Sequence, residues 1–129
     1  MRDYQPKYKN PYYLEHTVYR RALALVRDYP RLIQAREETI WQAAAAMPGG
    51  GRSLPGKPTE AKALRIGVME DDIRIVERAL KKIPKEFRQG VLDNVLFGKR
   101  IEDLPGARST WSRWRGRLLW GVAKGKRWI

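Results

Sequence analysis

The stretch MPGGGRSLPGKPTE, residues 47–60, constrains this chain more than any other. Four glycines and three prolines in fourteen positions cannot sustain a helix or a strand. Glycine leaves the backbone too free, and proline removes a donor and clashes with the preceding turn. Ordered structure must therefore be built on either side of it. There the apolar residues recur at helical spacing, and no segment alternates with period two for long enough to be a strand. The expected fold class is all-α, with an N-terminal helical hairpin, a long linking helix and a C-terminal helix-turn-helix.

The segments follow from local signals. Residues 1–46 should form the hairpin, 47–59 a flexible linker, 60–83 the linking helix and 84–129 the helix-turn-helix unit. Pro30 should break the first helical run, giving helices over 12–28 and 30–46. Leu14, Val18, Leu25 and Ile33, helped by Tyr19 and Leu32, supply the apolar row. Thr59 is placed to cap the linking helix. Along that helix Ile66, Met69, Ile73, Val76, Leu80 and Ile83 are spaced three and four apart, a heptad seam. It can pack on the hairpin, or Ile66, Met69, Ile73, Val76 and Leu80 can pair two copies of the chain. Pro84 suits a first helical position, so the next helix should run to Phe97 with Phe87, Val91, Val95 and Leu96 on one side. Gly98 closes it, a short helix spans about 100–104, a turn occupies 105–107, and Ser109 or Thr110 caps the last helix.

The net charge of +13 and the sequence pI near 10.4 call for a polyanionic partner, nucleic acid first and an anionic membrane second. Residues 84–129 carry +7 of that excess, and nothing acidic follows Asp103. The chain has no cysteine, which excludes disulfides and thiolate metal sites. MRDYQPKYKNPYYL has no apolar run of the signal-peptide kind, and no stretch approaches the roughly 20 apolar residues of a membrane span. A cytoplasmic location is expected.

Candidate catalytic chemistry is thin. Gly51 to Lys57, GRSLPGK, has the spacing of a phosphate-binding loop, but Pro58 replaces the hydroxyl residue that would hold Mg²⁺, and no strand precedes it. His16 is the one histidine and sits among Tyr and Arg on a helix, which favours a packing or surface role. Glu70, Asp71 and Asp72 are consecutive, so on a helix they point apart and cannot converge on one ion. A non-enzymatic protein with no cofactor and no metal is expected.

RSTWSRWRGRLLWGVAKGKRWI, Arg108 to Ile129, carries four tryptophans and seven cations with no acid. Wound as a helix, it gathers Trp111, Trp114, Leu118 and Val122 on one face, leaving Ser112, Arg113, Arg117, Trp120 and Lys124 broadly opposite. An interfacial membrane helix has a similar pattern. The preceding helix, glycine, short helix, Pro-Gly turn and capping residues favour a helix-turn-helix, whose last helix enters the DNA major groove by its N-terminal end. Arg108, Ser109 and Thr110 would then bind phosphate at the positive helix end. Arg113 and Arg117, together with Ser112, would face the DNA, arginine being suited to bidentate contact with guanine. Lys124, Lys126 and Arg127 would neutralise phosphates without reading sequence.

IPKEFRQGVLDNVLFGKRIEDL followed by RSTWSRWRGRLLWGVAK resembles the fourth-region helix-turn-helix of bacterial sigma factors over about forty residues. It departs from that pattern at Pro105-Gly106, in the turn, and at Trp111, where a small aliphatic residue is usual. NPYYLEHTVYRRALALVRDYPRL, the Gly/Pro loop running into KPTEAKALRI, and the ending W-x-R-W-R-x-R-L-L-W-x-V-A-K are similar to the RinA-type regulators of bacteriophages. That resemblance implies a small activator of late phage genes, one that binds double-stranded DNA near a promoter and engages the host's RNA polymerase in the bacterial cytoplasm. The rival within DNA binding is a phage small terminase subunit, which also joins a helix-turn-helix to an oligomerising helix. The rival outside it is a membrane-active cationic protein.

Overall fold

The computed structural model describes Gln5 and residues 10–46 and 60–129, and among these it is all-α, without a strand. Four helices follow in order: α1 (His16–Ala46), α2 (Glu60–Lys81), α3 (Lys85–Phe97) and α4 (Arg108–Gly125), with a 3₁₀ turn at Ile101–Asp103 before α4. The Gly/Pro linker at 47–59, with its GRSLPGK loop and the Thr59 cap, lies outside the described residues.

Pro30 does not divide the first helical run. It stands inside α1, exposed, and the helix continues through it. A helix-interior proline costs about 3 kcal/mol. Tyr19, Ala22, Leu23 and Val26 are buried before it and Leu32 after it, and each large apolar side chain contributes about 1.5–3 kcal/mol. Packing on both sides outweighs the lost bond. The buried stripe is also rotated from the expected row, since Val18, Leu25 and Ile33 are only half-buried.

The chain forms two compact units, and they do not follow the expected segments. One joins the residues up to Arg27 with Ile75–Ile129; the other is Asp28–Arg74. In the second unit the Arg36 guanidinium lies 3.6 Å from the Glu70 carboxylate, bridging α1 and α2. Ile40, Trp41, Leu64 and Val68 are exposed there, Trp41 at 74%.

In the first unit several devices fix the helix ends. Proline disfavours helical backbone in the residue before it, so α2 stops ahead of Ile83-Pro84. Arg88 then reaches back: its Nε donates to the carbonyls of Leu80 (3.0 Å) and Ile83 (2.9 Å). A cation that satisfies terminal carbonyls also suits the negative end of the helix dipole. Arg27 does the same for α3, its Nε donating to the Val95 carbonyl at 3.1 Å. Pro84, expected as the first helical residue, is instead the cap of α3, and the helix begins one position later at Lys85. Gly98 closes α3 in the left-handed conformation, φ 69°, as expected.

Glycines govern how closely α4 approaches its neighbours. A Cβ on Gly121 would lie 3.0 Å from the Ala79 Cβ, and one on Gly125 would lie 2.8 Å from the Ile75 Cγ2. These two glycines, one turn apart, set α4 directly on the last turns of α2. On α3, a Cβ at Gly90 would come within 2.5 Å of the Trp111 ring.

The heptad seam is used mainly inside the chain. Ile73, Val76 and Ile83 are buried, while Ile66, Met69 and Leu80 are half-buried. Pairing two copies along Ile66, Met69, Ile73, Val76 and Leu80 would require taking Ile73 and Val76 out of the chain's own core. Intramolecular packing reaches those residues first, because the partner surface is tethered to them.

Gly90→Ala should destabilise the protein by about 1–3 kcal/mol through overpacking against Trp111. Gly116→Ala, where a Cβ meets nothing within 4 Å, should stabilise it by about 0.5–1 kcal/mol through the removal of backbone freedom. Denaturant unfolding of the two variants checks both signs.

Candidate nucleic-acid interface

The start of α4 is built around Trp111. Its indole is buried (4% exposed), its Nε1–H donates to the Pro105 carbonyl at 2.8 Å, and Phe87 meets it edge-on with ring centroids 5.2 Å apart. Buried tryptophan N–H groups need a partner, and the Pro105 carbonyl lies in the turn that precedes the helix. One side chain therefore joins α3, the turn and α4. Gly106, at φ 99°, provides the left-handed step that the turn requires.

Helix α4 starts one residue before Ser109, with Ala107 as its cap residue and no side-chain capping bond. Neither Ser109 nor Thr110 caps it. Both fall within the first turn, because the Trp111–Pro105 bond sets the helix start earlier than the hydroxyl residues suggest. The expected core of α4 is realised in part. Trp111, Leu118 and Val122 are buried, whereas Trp114 is half-exposed and stacks on Phe87 with centroids 5.8 Å apart.

The cations on this helix have different fates. Arg108 is exposed, with its Nε 3.9 Å from the Glu102 carboxylate, a loose surface pair of the kind worth about 0–1 kcal/mol. Arg113 is exposed, its guanidinium 5.9 Å from the Trp114 ring centre. Ser109 is exposed too, and Thr110 and Ser112 are half-buried beside it. These five residues share the first two turns. Arg115 is turned inward, 5% exposed, and donates to the Asn94 Oδ1 at 3.0 Å. Asn94 in turn donates to the Lys99 carbonyl at 2.7 Å, so the pair ties α4 to the end of α3.

Arg117 does not share the outlook of Arg113. It donates to the Tyr12 hydroxyl and lies 4.7 Å from the Tyr12 ring centre. Tyr12 also meets Trp120 edge-on, with centroids 5.4 Å apart. Leu14, just before α1, is itself tied to Gln5, whose side chain exchanges two hydrogen bonds with the Leu14 backbone, at 2.6 and 3.0 Å. No periodicity could indicate this, because Tyr12 and Arg117 are separated by 105 positions.

Lys124, Lys126 and Arg127 stand at the other end of α4. At 1.5 Å rise per residue, Lys124 is about 22 Å along the axis from Ser109. The two groups of cations form separate sites on one helix. Lys124 and Lys126 approach the Trp120 and Trp128 rings, at 5.7 and 5.9 Å. Arg127 has φ 61°, the left-handed conformation that favours glycine. Its N–H bonds the Lys124 carbonyl and the next N–H, of Trp128, bonds the Ala123 carbonyl, which makes a Schellman ending with arginine at the glycine position. The chain then turns so that Trp128 lies under Arg21, 4.1 Å from ring centre to guanidinium.

Other candidate sites stay separate. His16 is exposed at the start of α1. Glu70 faces Arg36, while Asp71 pairs with Arg74 at 3.5 Å, so the acidic run diverges as its spacing implies. Among the described residues no three His, Cys, Asp or Glu side chains are grouped to hold a metal, and no helix is long and apolar enough to cross a membrane. No protein-family model, curated protein or solved structure matches this chain.

Trp111→Ala should cost about 3–5 kcal/mol, and Trp111→Phe, which keeps the ring but loses the bond to Pro105, about 1–3 kcal/mol. Thermal unfolding followed by near-ultraviolet circular dichroism reads both. Retained stability in Trp111→Ala would overturn the central role given to this side chain.

Proposed function

We propose that this protein binds duplex DNA through the first two turns of α4 and regulates transcription. The observation that carries the reading is the exposed start of α4, whose own first turn has no acid, where Arg108, Ser109 and Arg113 stand together on a helix end that no side chain caps. The uncapped backbone N–H groups and the positive end of the helix dipole suit a phosphate. Arg113, one turn after Ser109, is the side chain placed to reach a base edge, with Ser112 beside it. The order α3, 3₁₀ turn, Pro-Gly turn and α4 supports a helix-turn-helix in which α4 is the recognition helix.

The far end of α4 has a different part. A groove about 12 Å wide does not take in the whole helix, so Lys124, Lys126 and Arg127 act on the phosphate backbone. Arg127 supports this role, because a left-handed position that glycine would fill without strain holds an exposed cation instead. Arg117 acts indirectly, by fixing Tyr12 against α4. The resemblance to RinA-type regulators supports, as the biological setting, activation of late phage genes, with a surface outside α4's first turns engaging RNA polymerase.

The deciding experiment is selection of bound duplexes from a random library, followed by affinity measurements over a salt series. A single enriched motif, preferred over random duplex by about 10³ or more with a steep salt slope, is expected. Salt-sensitive binding without preference would displace this reading in favour of a DNA-packaging role such as that of a small terminase subunit.

Variants separate the roles. Arg113→Ala should weaken specific binding by about 1–3 kcal/mol and relax the preference at one base pair. Lys126→Ala should weaken binding to all duplexes alike and lower the salt slope by about one. Arg127→Gly should raise unfolding stability by about 1 kcal/mol while reducing affinity for every duplex. Unchanged affinity in Arg127→Gly would remove that residue from the interface.

A further inference from the structure

Further along α4 a groove of about 220 Å³ opens between its C-terminal half and the end of α2. Its floor is apolar and formed by small groups: Ile75 and Ala79 of α2 against Gly121 and Gly125 of α4. Its rim carries four cations, Arg78, Lys82, Arg117 and Lys124, and no acid lines it. The volume is that of one large side chain. Gly121 and Gly125 press directly on Ala79 and Ile75, and having no side chains they leave the surface above that contact low, between the flanking cations.

Two observations identify the occupant. A DNA backbone is convex and hydrophilic, so it would meet the rim and leave the apolar floor wet. A single-stranded base would need a bare aromatic face, and Trp120, the one ring in the lining, already has Tyr12 against it at 5.4 Å and the cations of Arg117 and Lys124 at 6.0 and 5.7 Å. What matches a small apolar recess inside a ring of positive charge is a carboxylate-rich peptide with a bulky apolar residue at its centre.

We propose that this groove is the docking site for an acidic segment of a partner protein, which seats one aromatic or large aliphatic side chain on Ile75, Ala79, Gly121 and Gly125 and sets its flanking carboxylates against Arg78, Lys82 and Lys124. The apolar anchor supplies specificity and the charges steer the encounter. Lys124 is shared with the proposed phosphate-binding end, whereas Arg78 and Lys82 belong to α2 and its end and have no part in the DNA reading, so variants at those two residues test this site separately.

The test uses the full chain and two fluorescein-labelled peptides of equal charge, EDEDFEDED and EDEDSEDED, in about 0.15 M salt to suppress bulk attraction. Fluorescence anisotropy should show the phenylalanine peptide binding at least tenfold more tightly than the serine peptide. The pair Arg78→Glu with Lys82→Glu should lower its affinity at least tenfold, and the milder pair Arg78→Gln with Lys82→Gln should lower it at least threefold with an unchanged unfolding midpoint. Reversing two cations elsewhere, Arg65→Glu with Arg74→Glu, should leave it within threefold of the parent. Equal binding of the two peptides, or equal losses in the groove and control pairs, would reduce the effect to net charge and overturn the proposal. Tighter binding of a nine-nucleotide single strand that displaces the phenylalanine peptide would overturn it in favour of nucleic acid. Duplex affinity of the groove variants, measured in parallel, should stay within threefold. Loss of duplex binding in parent and variants alike would count against the DNA reading and leave the peptide result standing.

Discussion

Everything at the C-terminal end of this protein depends on where one indole is seated. Trp111 fits because residue 90 is a glycine, and its N–H is satisfied by the Pro105 carbonyl of the preceding turn. Together these place α3, the turn and the first residues of α4 around one ring. Close packing makes such an arrangement stiff, since interiors have little void to absorb a displaced aromatic group. The stiffness suits the proposed recognition role, because side chains that read a base must be held by a rigid support. Arg108 and Arg113 flank the anchored residue in sequence and stand on the outside of the helix it anchors.

The glycines of α4 differ in kind. Gly121 and Gly125 lie where a methyl group would strike α2, so their smallness is a packing requirement. Gly116 has open space around it, and no internal contact demands a glycine there. It lies between Arg113 and Arg117 in sequence, on the face proposed to approach DNA, where absence of a side chain permits closer approach of another backbone. The same helix thus carries glycines that bring it toward its own protein and one that leaves its outer surface low.

Net charge overstates the surface available to a polyanion. Arg27 and Arg88 satisfy the carbonyl ends of α3 and α2, Arg115 is buried against Asn94, and Arg117 is engaged by Tyr12. These arginines act as donors in the fold, a task for which a planar group with five N–H bonds is well suited. The cations left facing outward on α4 and just past its end are Arg108, Arg113, Lys124 and Arg127, with Lys126 half-buried between the last two. They fall at its two ends, which is why one helix is assigned both a reading end and a phosphate-binding end.

Much of this architecture was legible in the sequence. The all-α class, the boundaries of α2 and α3, the left-handed close at Gly98, the short helix before the turn and the burial of Trp111, Leu118 and Val122 all follow from local periodicity and from the backbone preferences of glycine and proline. Local rules misplaced whatever depended on distant partners. Pro30 was expected to break a helix that packing on both sides carries through, and Ser109 and Thr110 were expected to cap a helix whose start is set by Trp111 and Pro105. Arg115 and Arg117 follow Arg113 at alternate positions in RWRGR, yet one is drawn inward by Asn94 and the other aside by Tyr12. A sequence determines which side chains can donate, pack or bend the chain at each point. Which of them remain free to meet a partner is decided only when residues a hundred positions apart have come together, because a donor satisfied within the fold is no longer available outside it.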